Sequence, residues 1–222
     1  MNFESYWTQR HPVIEKTYLG RASVRYAGGR MRNIAYSVDV RRFVAPAGDA
    51  VMRPTLAAIM GETIEQVLTR SSDKLARRVQ AWVAASIQYR TDSQTRLMED
   101  HWQPPEETLA VRAGDCEDGA LLMLSLLLAA GIPSWRLRVA VGTVLWPSQG
   151  YQGHAWVAYC RGVDWVPLDW CFMPETDSRI AARYSLDQLT RHYTNTVWSF
   201  NDVHAYTHAA DPNWAPPGDL EK

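Results

Sequence analysis

Cysteine is scarce in this chain: Cys116, Cys160 and Cys171 are the three in 222 residues. So sparse and odd a set fits a reducing compartment better than a disulfide framework, with a Cys160–Cys171 bridge as an alternative left open. An excess of one charge sign is missing as well. A net charge of -1 argues against bulk nucleic-acid binding and against attraction to a membrane surface. Long apolar runs are absent too: LLMLSLLLAA is too short to span a bilayer. MNFESYWTQRHPVIEK has no cationic stretch leading into an apolar one, so no secretory signal is read there. There is no internal repeat and no low-complexity segment.

What is present suits one large domain, or one domain with an extension. The hydrophobic fraction of 46% supplies a sizeable core, and ten tryptophans add large aromatic surface. The segment from Gly114 to Pro133 reads as a buried helix with a cysteine at its start. Asp115 suits the N-cap, Glu117 and Asp118 put negative charge in the first turn, and Gly131 and Pro133 stop the helix. Its leucines and methionine cover almost every side. Cys116 at the positive end of the helix dipole is expected to ionise more easily, which favours nucleophilic chemistry.

Upstream, alternating runs on either side of Gly28-Gly29 predict a hairpin between Ala22 and Val40. Pro54 opens a helical region that Gly61 divides, and Ser71 or Ser72 caps another whose Leu75, Val79, Trp82, Val83 and Ile87 share a face. Residues 89–103 read as a polar loop, and Pro104-Pro105 opens a short helix leading to Gly114. Strands are predicted at Arg136 to Leu145, Gly153 to Cys160, Val163 to Trp170 and Thr196 to Phe200, with a helix start at Ser185-Leu186-Asp187-Gln188. If Arg161-Gly162 is a two-residue hairpin loop, Cys160 opposes Val163 and His154 lies directly across from Asp169. Opposed residues share a face about 4.5 to 5.5 Å apart, close enough for an imidazole–carboxylate bond that fixes the histidine tautomer.

GDCEDGALL, GHAWVAY and WVPLDW follow one another with Cys116, His154 and Asp169 separated by 38 and 15 residues. Together they resemble the core of the transglutaminase-like superfamily, and DHWQPPEETLAVRAGDCED resembles its bacterial cysteine peptidases most. The resemblance covers roughly Leu75 to Asp169. It implies an α+β, papain-like fold in which a helix carrying the cysteine packs on an antiparallel sheet carrying the histidine and aspartate. It also implies Cys116 as nucleophile, His154 as general base and then acid, and Asp169 as the orienting carboxylate. The reaction implied is acyl transfer through a thioester, hydrolysing peptide or amide bonds in a protein or peptide substrate. A glutamine–lysine crosslinking transglutaminase and a non-catalytic binding module are the alternatives.

The second oxyanion donor is expected among Tyr89, Trp102 and Gln103 on the upstream loop. No cofactor is required by this chemistry. The adhesin-cleaving branch of the family binds calcium through acidic residues near its cysteine, which directs attention to Asp115, Glu117 and Asp118, although helix capping accounts for them equally well. A zinc site from His204 and His208 with Cys171 or His192 lacks the helical pattern that spacing requires. Trp135, Trp146, Trp156, Trp165 and Trp170 read as core and cleft wall. The domain reading is an N-terminal extension at 1–70, a catalytic core at 71–201 and an irregular tail at 202–222. Without a signal, the expected location is the cytoplasm or a phage particle.

Overall fold

A computed structural model describes residues 17–25, 31–95, 101–146, 150–172 and 192–207. The glycine pair of the N-terminal hairpin, His208, the helix start at 185–188 and the tail from 211 lie outside them. The hairpin strands are β1 (Thr17–Arg25) and β2 (Met31–Asp39), antiparallel with Thr17 opposite Asp39 and Arg25 opposite Met31. A 3-10 turn at Val40–Phe43 follows, with Asp39 accepting from Arg41 N.

Helix α1 (Met52–Met60) ends at Gly61, whose φ of 67° places it in the left-handed region that a C-cap glycine occupies without penalty. A short α2 (Ile64–Val67) begins with a reciprocal Thr63–Gln66 capping box. Helix α3 (Ser72–Ser86) buries Leu75, Val79 and Val83 on one face, with Ile87 buried beyond its end. Ser71 is its N-cap residue, but the hydroxyl makes no cap bond there, and the backbone carbonyl takes Leu75 N instead. In the expected loop, Gln88–Tyr89 (β3) pairs in parallel with Ala113–Gly114 (β4), and Asp92–Thr95 (α4) forms one turn. Helix α5 (Pro105–Val111) starts at the proline pair, as a ring-locked φ at N1 favours.

Helix α6 (Cys116–Ala129) is the centre of the molecule. Every residue from Glu117 to Ala129 is buried, including Ser125, whose hydroxyl accepts Ala45 N and ties the segment before α1 to the core. The helix packs on a five-stranded antiparallel sheet in the order β7-β6-β5-β8-β9. The strands are β5 (Leu137–Trp146), β6 (Gly150–Arg161), β7 (Asp164–Leu168), β8 (Tyr193–Phe200) and β9 (Ala205–Thr207). Strand β9 continues the sheet into the stretch expected to be tail. Alternation along β6 sends Ala155, Val157 and Tyr159 into the core beneath α6, and Trp156, Ala158 and Cys160 into a second cluster with Val144, Trp165, Phe172 and Tyr193.

The β6–β7 hairpin corrects one expectation. Arg161 pairs with Asp164 and Cys160 with Trp165, so the loop is Gly162-Val163, opened by Gly162 at φ 69°. The register is displaced by two residues from the one that sets His154 opposite Asp169. Because side chains alternate with a period of two, that displacement keeps both residues on the same face, as diagonal neighbours. All three cysteines are free thiols, so no Cys160–Cys171 bridge forms.

Candidate active site

The residue at the end of β7 organises the site. Asp169 is 1% exposed and accepts hydrogen bonds on both carboxylate oxygens. Its Oδ2 takes His154 Nε2 at 2.7 Å and the Tyr193 hydroxyl at 3.0 Å. Its Oδ1 takes the backbone N–H groups of Phe172 at 3.1 Å and Cys171 at 3.2 Å. Gln80 on α3 donates to the Asp169 carbonyl at 2.7 Å, fixing the main chain from the other side. With Nε2–H donating to the carboxylate, His154 is held in the tautomer whose Nδ1 carries a lone pair. Phe172 packs edge-on against the imidazole at 5.5 Å and Trp156 stacks alongside at 6.1 Å.

Cys116 sits where the sequence places it, at the first position of α6, behind the N-cap Asp115. Gly119 lets this helix end approach the sheet. A β-carbon at 119 would lie 2.2 Å from the Trp170 ring, and the indole Nε1–H donates to the Cys116 carbonyl at 3.2 Å. The Cys116 thiol points to Glu117 Oε2 at 3.1 Å and makes no hydrogen bond to the imidazole. Its acidity is also opposite to the dipole-based expectation. Burial first, then the charges of Glu117, Cys171 and Asp115, push the thiol well above its ordinary value. The thiol rather than the thiolate is therefore the resting form at neutral pH.

His154, Cys171 and Tyr89 line a cavity of about 460 Å³ together with Val144, Trp146, Gln152 and Gly153. Tyr89 and Cys171 link it electrostatically to the start of α6. Burial and the charge of Cys116 both raise Tyr89, while burial and the charge of Asp169 raise Cys171 well above the usual thiol range. No charged side chain other than a protonated His154 faces this space among the lining residues.

The three expected oxyanion donors separate clearly. Gln103 is fully buried, and its side-chain amide donates to Ala113 O and Asp118 Oδ2 while its backbone N–H donates to Asp118 Oδ1. Trp102 is buried in a stack with Trp198 and Phe200. Both serve the core. Tyr89, 51% exposed, is the one that borders the cavity.

The acidic residues also regroup. Asp118 is committed to Gln103 and to Asp115 N, leaving Asp92, Asp115 and Glu117 as the group whose oxygens lie within 4.8 Å of one another. Asp92 comes from α4, and nothing in its local sequence signals this role. Burial, then the charge of Asp118, raises Glu117 to about 7, and burial, then the charge of Asp115, raises Asp118 to about 7. An all-oxygen set suits a hard cation, and a calcium shell of six to eight oxygens takes these three plus others. Of the other metal expectation, His204 follows β8, with its backbone N–H donating to Asn201 Oδ1. Cys171 and Tyr193 are the further site residues that local sequence did not reveal.

Solved structures share this arrangement of elements. Calcium-bound LapG from Legionella pneumophila is 20% identical over 69% of this chain and 76% of its own, with a TM-score of 0.54. A second structure of Legionella pneumophila LapG is 18% identical over 81% of this chain and 94% of its own, also at 0.54, and an EGTA-treated form is 17% identical at the same score. At such identities the likeness is one of fold. No curated protein matches the chain. Residues 59–170, half of the sequence and the half that holds Cys116, His154 and Asp169, match the transglutaminase-like superfamily. The chain belongs to the transglutaminase-like superfamily.

Proposed function

We propose that the protein is a cysteine-dependent acyl-transfer enzyme that hydrolyses peptide or amide bonds. The observation that carries this reading is the buried His154–Asp169 pair, 2.7 Å apart, whose imidazole lines a cavity shared with Tyr89 and Cys171, the two lining residues that interact electrostatically with Cys116. The Cys116 thiol turns from Glu117 toward the imidazole. As sulfur attacks the carbonyl carbon, its proton passes to His154 Nδ1, and Asp169 supports the imidazolium. The Cys116 backbone N–H and the Tyr89 hydroxyl stabilise the oxyanion. His154 then protonates the departing amine. Water, deprotonated by His154, cleaves the thioester and returns the thiol.

A neutral, aromatic-walled cavity favours uncharged residues beside the scissile bond. The test is release of amine from a mixed peptide pool, run with and without a fluorescent primary amine. Hydrolysis that vanishes in Cys116→Ala supports the reading. Incorporation of the amine with little hydrolysis replaces it with crosslinking, and neither product in the wild type leaves a binding module.

Asp92, Asp115 and Glu117 are the residues that would hold calcium. When bound, the ion supplies positive charge beside the thiol and relieves the mutual repulsion of the carboxylates. A linkage prediction follows from Glu117 and Asp118. Both carboxyls have folded values near 7, above their ordinary 4.5 and 3.8, so the folded state holds more protons between about pH 4 and 7. Without metal, stability falls as pH rises through that window and stays low above it. Calcium at a hundredfold excess over its dissociation constant at pH 8 restores about 2.7 kcal/mol, or roughly 5 to 10 °C of Tm, and the same concentration restores less at pH 5. Thermal melts at both pH values, with calcium and with chelator, check this.

A further inference from the structure

The cavity wall carries more metal-binding chemistry than acyl transfer uses. His154, Asp169 and Cys171 each bring one ligating atom, and these atoms lie within 4.8 Å of one another. Cys171 Sγ stands 3.8 Å from Asp169 Oδ1. Two ligands of a tetrahedral zinc ion, with bonds of about 2.0 to 2.3 Å, are separated by roughly 3.5 Å, so the sulfur and this oxygen need only a small adjustment. His154 and Asp169 are buried, while Cys171 is partly exposed. His154 and Cys171 both open on the cavity, which gives an ion a way in and leaves room for a fourth ligand, water.

The donor types decide the cation. One thiol sulfur, one imidazole nitrogen and one carboxylate oxygen are a zinc set, whereas Asp92, Asp115 and Glu117 offer oxygen alone.

We propose that His154, Cys171 and Asp169 form a zinc site with an open fourth position, and that zinc bound there holds the protein inactive. The inhibitory half rests on the acyl-transfer reading, because a metal on His154 removes its base; the binding half does not. Zinc binding releases the Cys171 thiol proton to solvent as the metal–sulfur bond forms. His154 Nε2 and Asp169 Oδ2, at 2.7 Å, are closer than two ligands of one ion. Their hydrogen bond opens on binding as the Nε2 proton shifts to Nδ1 and leaves Nε2 to hold the metal; Asp169 ligates through Oδ1, and the Tyr193 hydroxyl keeps hold of Oδ2.

Cobalt(II), a spectroscopic substitute for zinc, tests the site on the full chain. The wild type is expected to take up about one equivalent with a thiolate-to-cobalt charge-transfer band and the intense visible absorption of a tetrahedral ion. Cys171→Ser and Cys171→Ala should each lose the charge-transfer band and bind more than about 100-fold more weakly, beyond the loss that an outer partner causes. His154→Gln should lose the tetrahedral signature. Cys116→Ser and Cys160→Ser should keep both features. A wild-type spectrum without the thiolate band, or a band that survives in both Cys171 variants or disappears in Cys116→Ser, overturns the proposal. A cobalt spectrum of the expected kind on a chain that hydrolyses no amide leaves the zinc site in place and removes the enzyme reading. Hydrolysis insensitive to one equivalent of zinc removes the inhibitory role.

Discussion

Asp169→Asn is expected to lower kcat/KM for amide hydrolysis by about 10⁴-fold while the sheet stays assembled. The carboxylate accepts from His154, Tyr193 and two backbone N–H groups. If the amide oxygen keeps the backbone donors, its NH₂ group faces His154 Nε2. The imidazole must then accept there and carry its proton on Nδ1, where it cannot take one from the thiol. Asp169→Ala leaves the same donors buried without an acceptor and should also cost about 3 kcal/mol or more of stability. Steady-state kinetics on Asp169→Asn and denaturant melts on both variants separate the two effects. Wild-type kcat/KM in a folded Asp169→Asn chain rules out the orienting role.

The largest purely structural effect is expected at Gly142. An alanine β-carbon there would lie 1.9 Å from Asn195 O and 2.8 Å from Thr196 Cα. Both are backbone atoms of β8, so no side chain can swing away, and the two strands must separate. The register between β5 and β8 already shifts between Val141 and Gly142, and Gly142 pairs with His154 across β6. Gly142→Ala should destabilise the protein by about 3 kcal/mol or more, or roughly 10 °C in Tm, and disturb the His154 environment. Gly153→Ala is the control. Its β-carbon meets nothing within 4 Å, and a change within about 0.5 kcal/mol is expected. Equal melts for the two variants would contradict the close approach.

Much of this fold was legible because its signals are local. Asp115 and Gly131 bracket α6, Pro104-Pro105 opens α5, and Gly61 divides α1 from α2. The hairpin of β6 and β7 was legible in its face and not in its register. A single glycine in the loop leaves open whether Arg161 or Val163 is its neighbour there, and the period of two makes the answer immaterial to which face His154 and Asp169 share. Contacts made by tertiary packing alone were not legible. Asp92 reaches Glu117 because α4 packs on β4, immediately before α6, and Tyr193 reaches Asp169 from a distant strand. Gln103 shows the same limit: a polar residue in a polar loop reads as an available donor, whereas in the fold its amide is buried and donates to Asp118 and Ala113 O. For Cys116 the helix dipole that favours ionisation is visible in sequence, whereas the burial beside Glu117 that opposes it is a property of the assembled site.

The account depends on His154 serving as the base for Cys116, although the thiol rests on Glu117. Its most direct test is the rate of iodoacetamide labelling at each cysteine, followed by mass spectrometry across pH in the wild type and in His154→Ala. Labelling of Cys116 ahead of Cys160 and Cys171 near neutral pH, slowed at least about tenfold in His154→Ala, is the predicted result. Labelling of Cys116 that is no faster than at Cys171, or that is unchanged without the imidazole, would contradict it.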